Sequence, residues 1–409
     1  MLKDKHRVIE GLLGLQMICC MLEEITVSFV PSLRVIYFLP ELIGALYILL
    51  MAHGFFRRGA RLTLRGGSEG VLPALYAAWA VAAVAWGSFA PAEIVSRLRY
   101  IIFGAAAFYA ARSYLTDRGG IRIINLMTAA QGVNLVLTVY QNFIMKLHPD
   151  FCNGIFGFVE YNNAAQGCFC VALSVLGLCC FISGTWGPAR SFALIGMSCV
   201  ICAVAEIKIY FVVFAVCAVA AVLLKRHSPA EKRRIALGAA VLAVLFVIAY
   251  NIIAVVLPNN LYTFFSLEGY LRYEGRTDYA GRLNTIPFVF ENLFGSDPVR
   301  ALFGVGTGSA ADGYIYELGK TFSELGFVGV ALLLAVPVGV LVSYLRSRAG
   351  GRTPEKLFTA VYAIAFIIAI VAWNCTFTRF AYLNFFFLGL CNVRLGADSG
   401  KRLRGRESV

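Results

Sequence analysis

NNAAQGCFCVALSVLGLCCFIS, residues 162–183, carries no charged side chain over 22 consecutive positions. At a helical rise of ~1.5 Å per residue such a run crosses the ~30 Å hydrocarbon core of a bilayer. Comparable runs fall at 8–27, 34–52, 71–88, 99–115, 122–145, 191–205, 208–224, 235–257, 321–344, 357–373 and 378–393. Together they make about twelve candidate spans in a chain of 409 residues that is 59% hydrophobic and 14% charged, with a mean hydropathy of +0.75. A soluble core needs far less apolar sequence. The expected fold class is an all-α polytopic membrane protein of about 12 transmembrane helices, one integral membrane domain over 1–409.

The net charge of +13 raises the question of a nucleic-acid partner, and the distribution of the charge answers it. If the runs alternate across the membrane, one side receives Lys3, Lys5 and Arg7, Arg57 to Arg65, Arg112 to Arg122, Lys225 to Arg234, Arg346 to Lys356 and the tail KRLRGRESV. The other side receives far fewer cations, among them Arg34, Arg97, Arg99, Lys208, Arg276, Arg282, Lys320 and Arg379. This is the positive-inside pattern, which predicts both termini cytoplasmic and removes the need for nucleic acid. The opening MLKDKHRVIEGLLGLQMICCMLEE has no small-residue cleavage pattern and is interrupted by Glu23 and Glu24, so it is expected to be a retained first span.

Of the twelve cysteines, most sit inside apolar runs, where a thiol behaves as a small core residue, and only Cys152 falls clearly in a loop. No cysteine pair has histidine or cysteine company at zinc spacing, so neither a metal nor a cofactor is expected. The one long connection, residues 258–320, is an outer loop between the ninth and tenth spans, of a length that implies function. Within it TIPFVFENLF has the apolar spacing of a short helix lying at the membrane surface. GVGTGS, residues 304–309, lacks a preceding strand and a phosphate-loop lysine, so its glycines are expected to permit positive φ and close backbone approach rather than to cradle a nucleotide.

Polar groups inside the apolar runs are the candidates for function. Thr128, Gln131, Asn134, Thr138 and Gln141 recur every three or four residues and share one helix face, and Asn162 with Gln166 share another. Two readings stay open: interhelical hydrogen bonding, and a wet cavity that takes substrate. Arg97, Arg99, Lys208 and Glu41 lie near outer helix ends, where snorkelling competes with a binding role, and Lys208 fits snorkelling least well. In YEGRTDYAGR, residues 273–282, Arg276 and Arg282 could form paired hydrogen bonds to an anionic lipid headgroup, especially a diphosphate, or could simply pair with Glu274 and Asp278.

FGFVEYNNAAQG, AGRLNTIPFVFENLFGSDPVRALFGVGTGS and FSELGFVGVALLL, in that order around one large outer loop, resemble the O-antigen polymerase and O-antigen ligase superfamily of bacterial membrane glycosyltransferases, the Wzy-type proteins. The resemblance covers most of the chain as topology and three stretches as sequence. It implies location in the bacterial inner membrane and a glycan carried on undecaprenyl diphosphate, with no nucleotide sugar and no metal. Membrane lipid, flippase and chain-length regulator proteins are the further partners it implies. By position Arg282 matches the arginine of the family's GR block, and Lys208 falls where many members carry a basic residue. Ligases of the superfamily have a histidine nine residues before the glutamate of ELG; that position here is Ile315, and His6, His53, His148 and His227 lie elsewhere, which favours the polymerase.

The implied reaction is attack of a sugar hydroxyl of one lipid-linked repeat on the anomeric carbon of another, expelling undecaprenyl diphosphate. Arg282 and Arg276 would stabilise the leaving group, with Arg97, Arg99 or Lys208 beside them. Glu317 is the first choice for the base, with Glu324 and Asp312 as the other carboxylates near the glycine loop. Asn162, Gln166 and Glu324 complete the expected substrate contacts. The alternatives are ligase-type transfer to another acceptor, a lipid-linked oligosaccharide flippase or transporter, and a scaffold of a polysaccharide assembly.

Overall fold

The computed structural model describes residues 2–57, 70–87, 90–159, 162–256, 281, 284–309, 316–347, 352–373 and 376–396. Among these residues every apolar run of the sequence lies on a helix, and there is no strand. In chain order the α-helices are α1 (Leu2–Phe29), α2 (Leu39–Arg57), α3 (Leu72–Ala82), α4 (Pro91–Tyr114), α5 (Asp117–Val139), α6 (Asn163–Ser183) and α7 (Pro188–Val204). They continue with α8 (Lys208–Leu223), α9 (Pro229–Val256), α10 (Thr285–Phe288), α11 (Pro298–Phe303), α12 (Glu317–Arg346), α13 (Pro354–Ala372) and α14 (Phe380–Gly389). Among the described residues eight helical segments are long and apolar enough to cross a membrane, namely those built on α1, α2, α4, α5, α6, α9, α12 and α13. The apolar helices at α3, α7, α8 and α14 are shorter.

The helix ends follow local chemistry. Proline opens α4, α7 and α13, where the missing N–H costs nothing and the fixed φ suits the first turn. Thr116 caps α5 by accepting a hydrogen bond from the Gly119 N–H, and Gly184 ends α6 in the left-handed conformation. Glu23 and Glu24 do not interrupt α1, which runs on to Phe29; Glu23 is buried and Glu24 accepts a hydrogen bond from the Tyr37 hydroxyl.

The decisive run, α6, is the central helix, buried on all sides. A helix apolar around its whole circumference has no face to give to water and belongs in an interior. Its small residues let neighbours come close: Gly167 faces the Trp373 ring of α13, and Gly177 faces the Ser191 carbonyl of α7. α7, α8, α9, α13 and α14 surround it. At the other extreme α9 is largely exposed, as a helix against lipid would be.

Two connections do not run over the surface. Residues 149–156 fold into two short 3-10 turns whose Cys152, Ile155 and Phe156 are buried against α5, α1 and α6. Cys152, read from sequence as a loop residue, is thus a core thiol whose Sγ faces the Leu147 and His148 carbonyls. TIPFVFENLF is helical as expected, α10 continuing into a π turn at Val289–Leu293. Its Val289 and Phe294, however, pack onto Phe322 of α12, so this apolar face meets protein rather than membrane.

Candidate functional site

The sequence reads residues 321–344 as an unbroken span, but α12 begins at Glu317 and is broken at Gly326, whose φ of 65° and ψ of −167° leave the helical region. At the break the carbonyls of Ser323, Glu324 and Leu325 turn to partners outside the helix. The N–H groups of Val305 and Gly306 donate to the first two at 2.9 and 3.0 Å, and Trp79 Nε1 donates to the third at 3.1 Å. Irregular backbone among apolar helices survives only where each polar group finds such a partner. GVGTG is therefore a splint laid against a broken helix. Gly304 and Gly326 both have positive φ, and a Cβ on either would lie 2.3 Å from a carbonyl oxygen of the opposite strand of chain, Glu324 and Leu302 respectively.

The splint carries a buried ion pair with it. Glu324 Oε1 accepts a hydrogen bond from the Gly308 N–H at 3.0 Å, while its Oε2 pairs with Arg97 Nε at 2.7 Å. Arg97 sits in the second turn of α4 and is 3% exposed. Its remaining donors reach the Thr376 carbonyl at 2.8 Å and the Tyr76 hydroxyl at 3.1 Å, and its guanidinium lies 3.3 Å from the centre of the Phe377 ring. Lys320 Nζ sits 5.3 Å from the same ring, so one aromatic ring meets two cations. Glu317, fully buried, completes the group: its carboxylate accepts from the Thr376 N–H at 2.8 Å and from the Thr376 hydroxyl.

Thr376 and Phe377 belong to a segment that three residues later serves a second charged group. Arg379 donates to Glu23 Oε1 at 3.3 Å and to Glu41 Oε1 at 3.2 Å, and lies over the Tyr37 ring. Glu41 also accepts from the Tyr382 hydroxyl at 3.1 Å and has Arg99 Nη1 at 3.7 Å. Buried atoms here lack hydrogen-bond partners among the described residues: Glu23 Oε2, Glu41 Oε2, Arg99 Nε and the Thr378 hydroxyl. Polar capacity left over inside an apolar fold marks a place for polar contact. The two groups together gather the ends of α1, α2, α4, α12 and α14 that the charge asymmetry assigns to one side.

Of the residues singled out from sequence, Arg97, Glu324 and Glu317 come together, and Arg99 joins the adjacent group. Arg276 and Arg282, with Asp312 and Ile315, lie outside the described residues. Lys208 is half-exposed and pairs with Glu206 at 2.9 Å, at a turn where Glu206 adopts a φ of 55°. Along α5 the structure shows buried hydrogen bonding between helices and loop. Gln131, Asn134, Thr138 and Gln141 are all fully buried; the amides of Asn134 and Gln141 hold the inserted 149–156 loop, while the Gln131 amide bonds Ser198 and Cys170. Gln141 exchanges hydrogen bonds with both backbone groups of Gly154, and Asn134 Oδ1 accepts from the Ile155 N–H. Gln166 bonds Thr138 of α5 at 2.8 Å, its Oε1 having no hydrogen-bond partner among the described residues, and Asn162 bonds the Phe156 carbonyl at 2.8 Å, so the two tie α6 to α5 and to that loop.

Tyr76, Thr376 and Phe377 were not singled out from sequence. Lys320 and Arg379 appear there only as outer cations, and the one signal for Thr376 and Phe377 is the polar TFTR between two apolar runs. Among the described residues no three His, Cys, Asp or Glu side chains converge to hold a metal ion. The chain matches no protein-family model and no curated protein.

Proposed function

We propose that this protein polymerises lipid-linked oligosaccharide repeats at the outer face of a bacterial inner membrane, moving glycan from undecaprenyl diphosphate to a sugar hydroxyl of another repeat. In this reading twelve helices span the membrane, both termini are cytoplasmic, and residues 258–320 form the outer loop. The observation that carries it is the buried Arg97–Glu324 pair, held by the glycine splint in which that loop ends. In this reading Arg276 and Arg282, carried by that loop, act at the same place.

The electrostatics divide the labour. In their ordinary charge states Arg97 and Lys320 balance Glu317 and Glu324, and Arg99 and Arg379 balance Glu23 and Glu41. These groups form a neutral floor, since a buried charge is tolerable only when paired. The positive excess that a departing diphosphate needs then falls to Arg276 and Arg282, whose guanidiniums give two parallel hydrogen bonds each. Glu317 takes the hydroxyl proton; because Thr376 holds its carboxylate, that step requires the 376–379 segment to shift.

The test is purified protein in nanodiscs with undecaprenyl-diphosphate-linked repeats and no nucleotide sugar. The expected product is a ladder spaced by whole repeats, lost in Arg282→Ala and poorly restored in Arg282→Lys. A fully active Arg282→Ala protein sinks the assignment, and transfer to an added acceptor without a ladder converts the reading to a ligase. The break at Gly326 favours one second reading, a lipid-linked oligosaccharide flippase, because transporters build sites on interrupted helices. Sugar appearing in the opposite leaflet without chain growth would establish it.

A further inference from the structure

At the end of the molecule where α1 begins, α1 and α5 enclose a groove of about 970 Å³. Glu10 Oε2 bonds Thr116 at the start of α5, and Gly14 lies against Ile123, so the two helices run in the same direction. Along that direction the lining changes character. Arg7 and Arg118 stand at the first end and Arg122 about a turn farther along, level with Gly14, all three exposed; Leu15, Ile18 and Leu126 form the walls beyond. Leu15 and Leu126 are themselves 46% and 39% exposed along the rim.

The two carboxylates in the lining are already engaged, Glu10 by the N–H and hydroxyl of Thr116 and Asp117 by the Arg394 N–H. No ion pair joins any of the three guanidiniums to a carboxylate among the described residues. Gly11 forms part of the floor, and a Cβ there would meet nothing within 4 Å, so the depth of the groove at this point depends on a missing side chain.

We propose that this groove binds an anionic phospholipid, its phosphate between Arg7, Arg118 and Arg122 and its acyl chain along Leu15, Ile18 and Leu126. Three guanidiniums without an ion-pair partner among the described residues outnumber the two carboxylates of the lining and match a phosphate, and an apolar trough continuing from them suits a chain attached to that phosphate, which a free anion does not have. With the orientation proposed above, the lipid belongs to the cytoplasmic leaflet. The groove lies apart from the Arg97 site, so either proposal can fail alone.

The experiment uses the full-length protein in mixed micelles with equal phosphatidylglycerol and phosphatidylcholine, and native mass spectrometry reads the lipid retained. Phosphatidylglycerol should be retained preferentially. Each guanidinium removed should weaken retention roughly fivefold, the equivalent of about 1 kcal/mol, so a combined Arg7→Gln, Arg118→Gln, Arg122→Gln variant should lose the preference. Gly11→Leu fills the floor while raising helix propensity, so it should fold and also lose retention. An unchanged preference in the triple variant overturns the proposal. Loss in the triple variant with full retention in Gly11→Leu reduces it to diffuse surface attraction and overturns it equally. Displacement by millimolar inorganic phosphate assigns the site to a free anion instead of a lipid.

Discussion

The interior of this protein holds two polar regions that obey different rules. Along α5 the stripe from Gln131 to Gln141 is neutral and buried, its amides bond an inserted loop and a neighbouring helix, and the orphan atoms beside it are the neutral amide oxygens of Gln166 and Asn153. Around Arg97 and Arg379 the polar groups are charged, come from at least four helices, and leave orphan atoms on Glu23, Glu41 and Arg99. Neutral amides are the less costly way to hold irregular backbone inside an apolar bundle, since an imperfect amide bond costs little. Charged groups impose a far larger desolvation cost and persist where their charge is used. The first region is adhesive and the second is a candidate for chemistry, although in sequence both read as polar breaks in apolar runs.

The sharpest way to break this contrast is Arg97→Met, which strands the Glu324 carboxylate. The expected loss is ~3–5 kcal/mol of stability, read by thermal unfolding in detergent, with roughly half restored when Glu324→Gln is added, since the two residues form one coupled pair. Equal destabilisation by the single and double variants would mean that packing against Phe377, rather than charge, is what Arg97 supplies. Next in size is Gly326→Ala. Its positive φ alone should cost ~1–3 kcal/mol, with the contact to Leu302 added, and the change should suppress chain growth through the displaced Glu324.

Gln131→Leu tests the other side of the comparison. Removing its bond to Ser198 should cost about 0.6 kcal/mol and at most ~1.7, with the product ladder unchanged. A collapse of activity without unfolding would move the α5 stripe into the site. The smallest effect is expected from Lys208→Gln, whose half-exposed pair with Glu206 is worth ~0–1 kcal/mol; a lost ladder at unchanged melting temperature would return Lys208 to the substrate site.

Much of this architecture is legible in the sequence because apolar run length is a one-dimensional signal. α6 reads directly from residues 162–183, and Pro91, Pro188 and Pro354 mark helix starts. The break at Gly326 does not read, because ELGFVG keeps the composition of a span and the φ of a glycine is set by what packs on it. Arg97, Glu317 and Glu324 are noticeable as ionisable groups near apolar runs. Their partnership is not, since Arg97 meets Glu324 from 227 positions away and Thr376 from 279. Nor does sequence separate the two polar regions, because an inward-facing glutamine reads the same whether it meets water or a folded loop.

Gly304 and Gly326 each occupy the space that a side chain on the other's segment would need, with Leu302 O beside one and Glu324 O beside the other. Their fates in descent are consequently joined. A lineage that replaces either one loses the constraint on both, so related chains should vary at the two positions together or at neither, even though one lies in a loop and the other inside a helix.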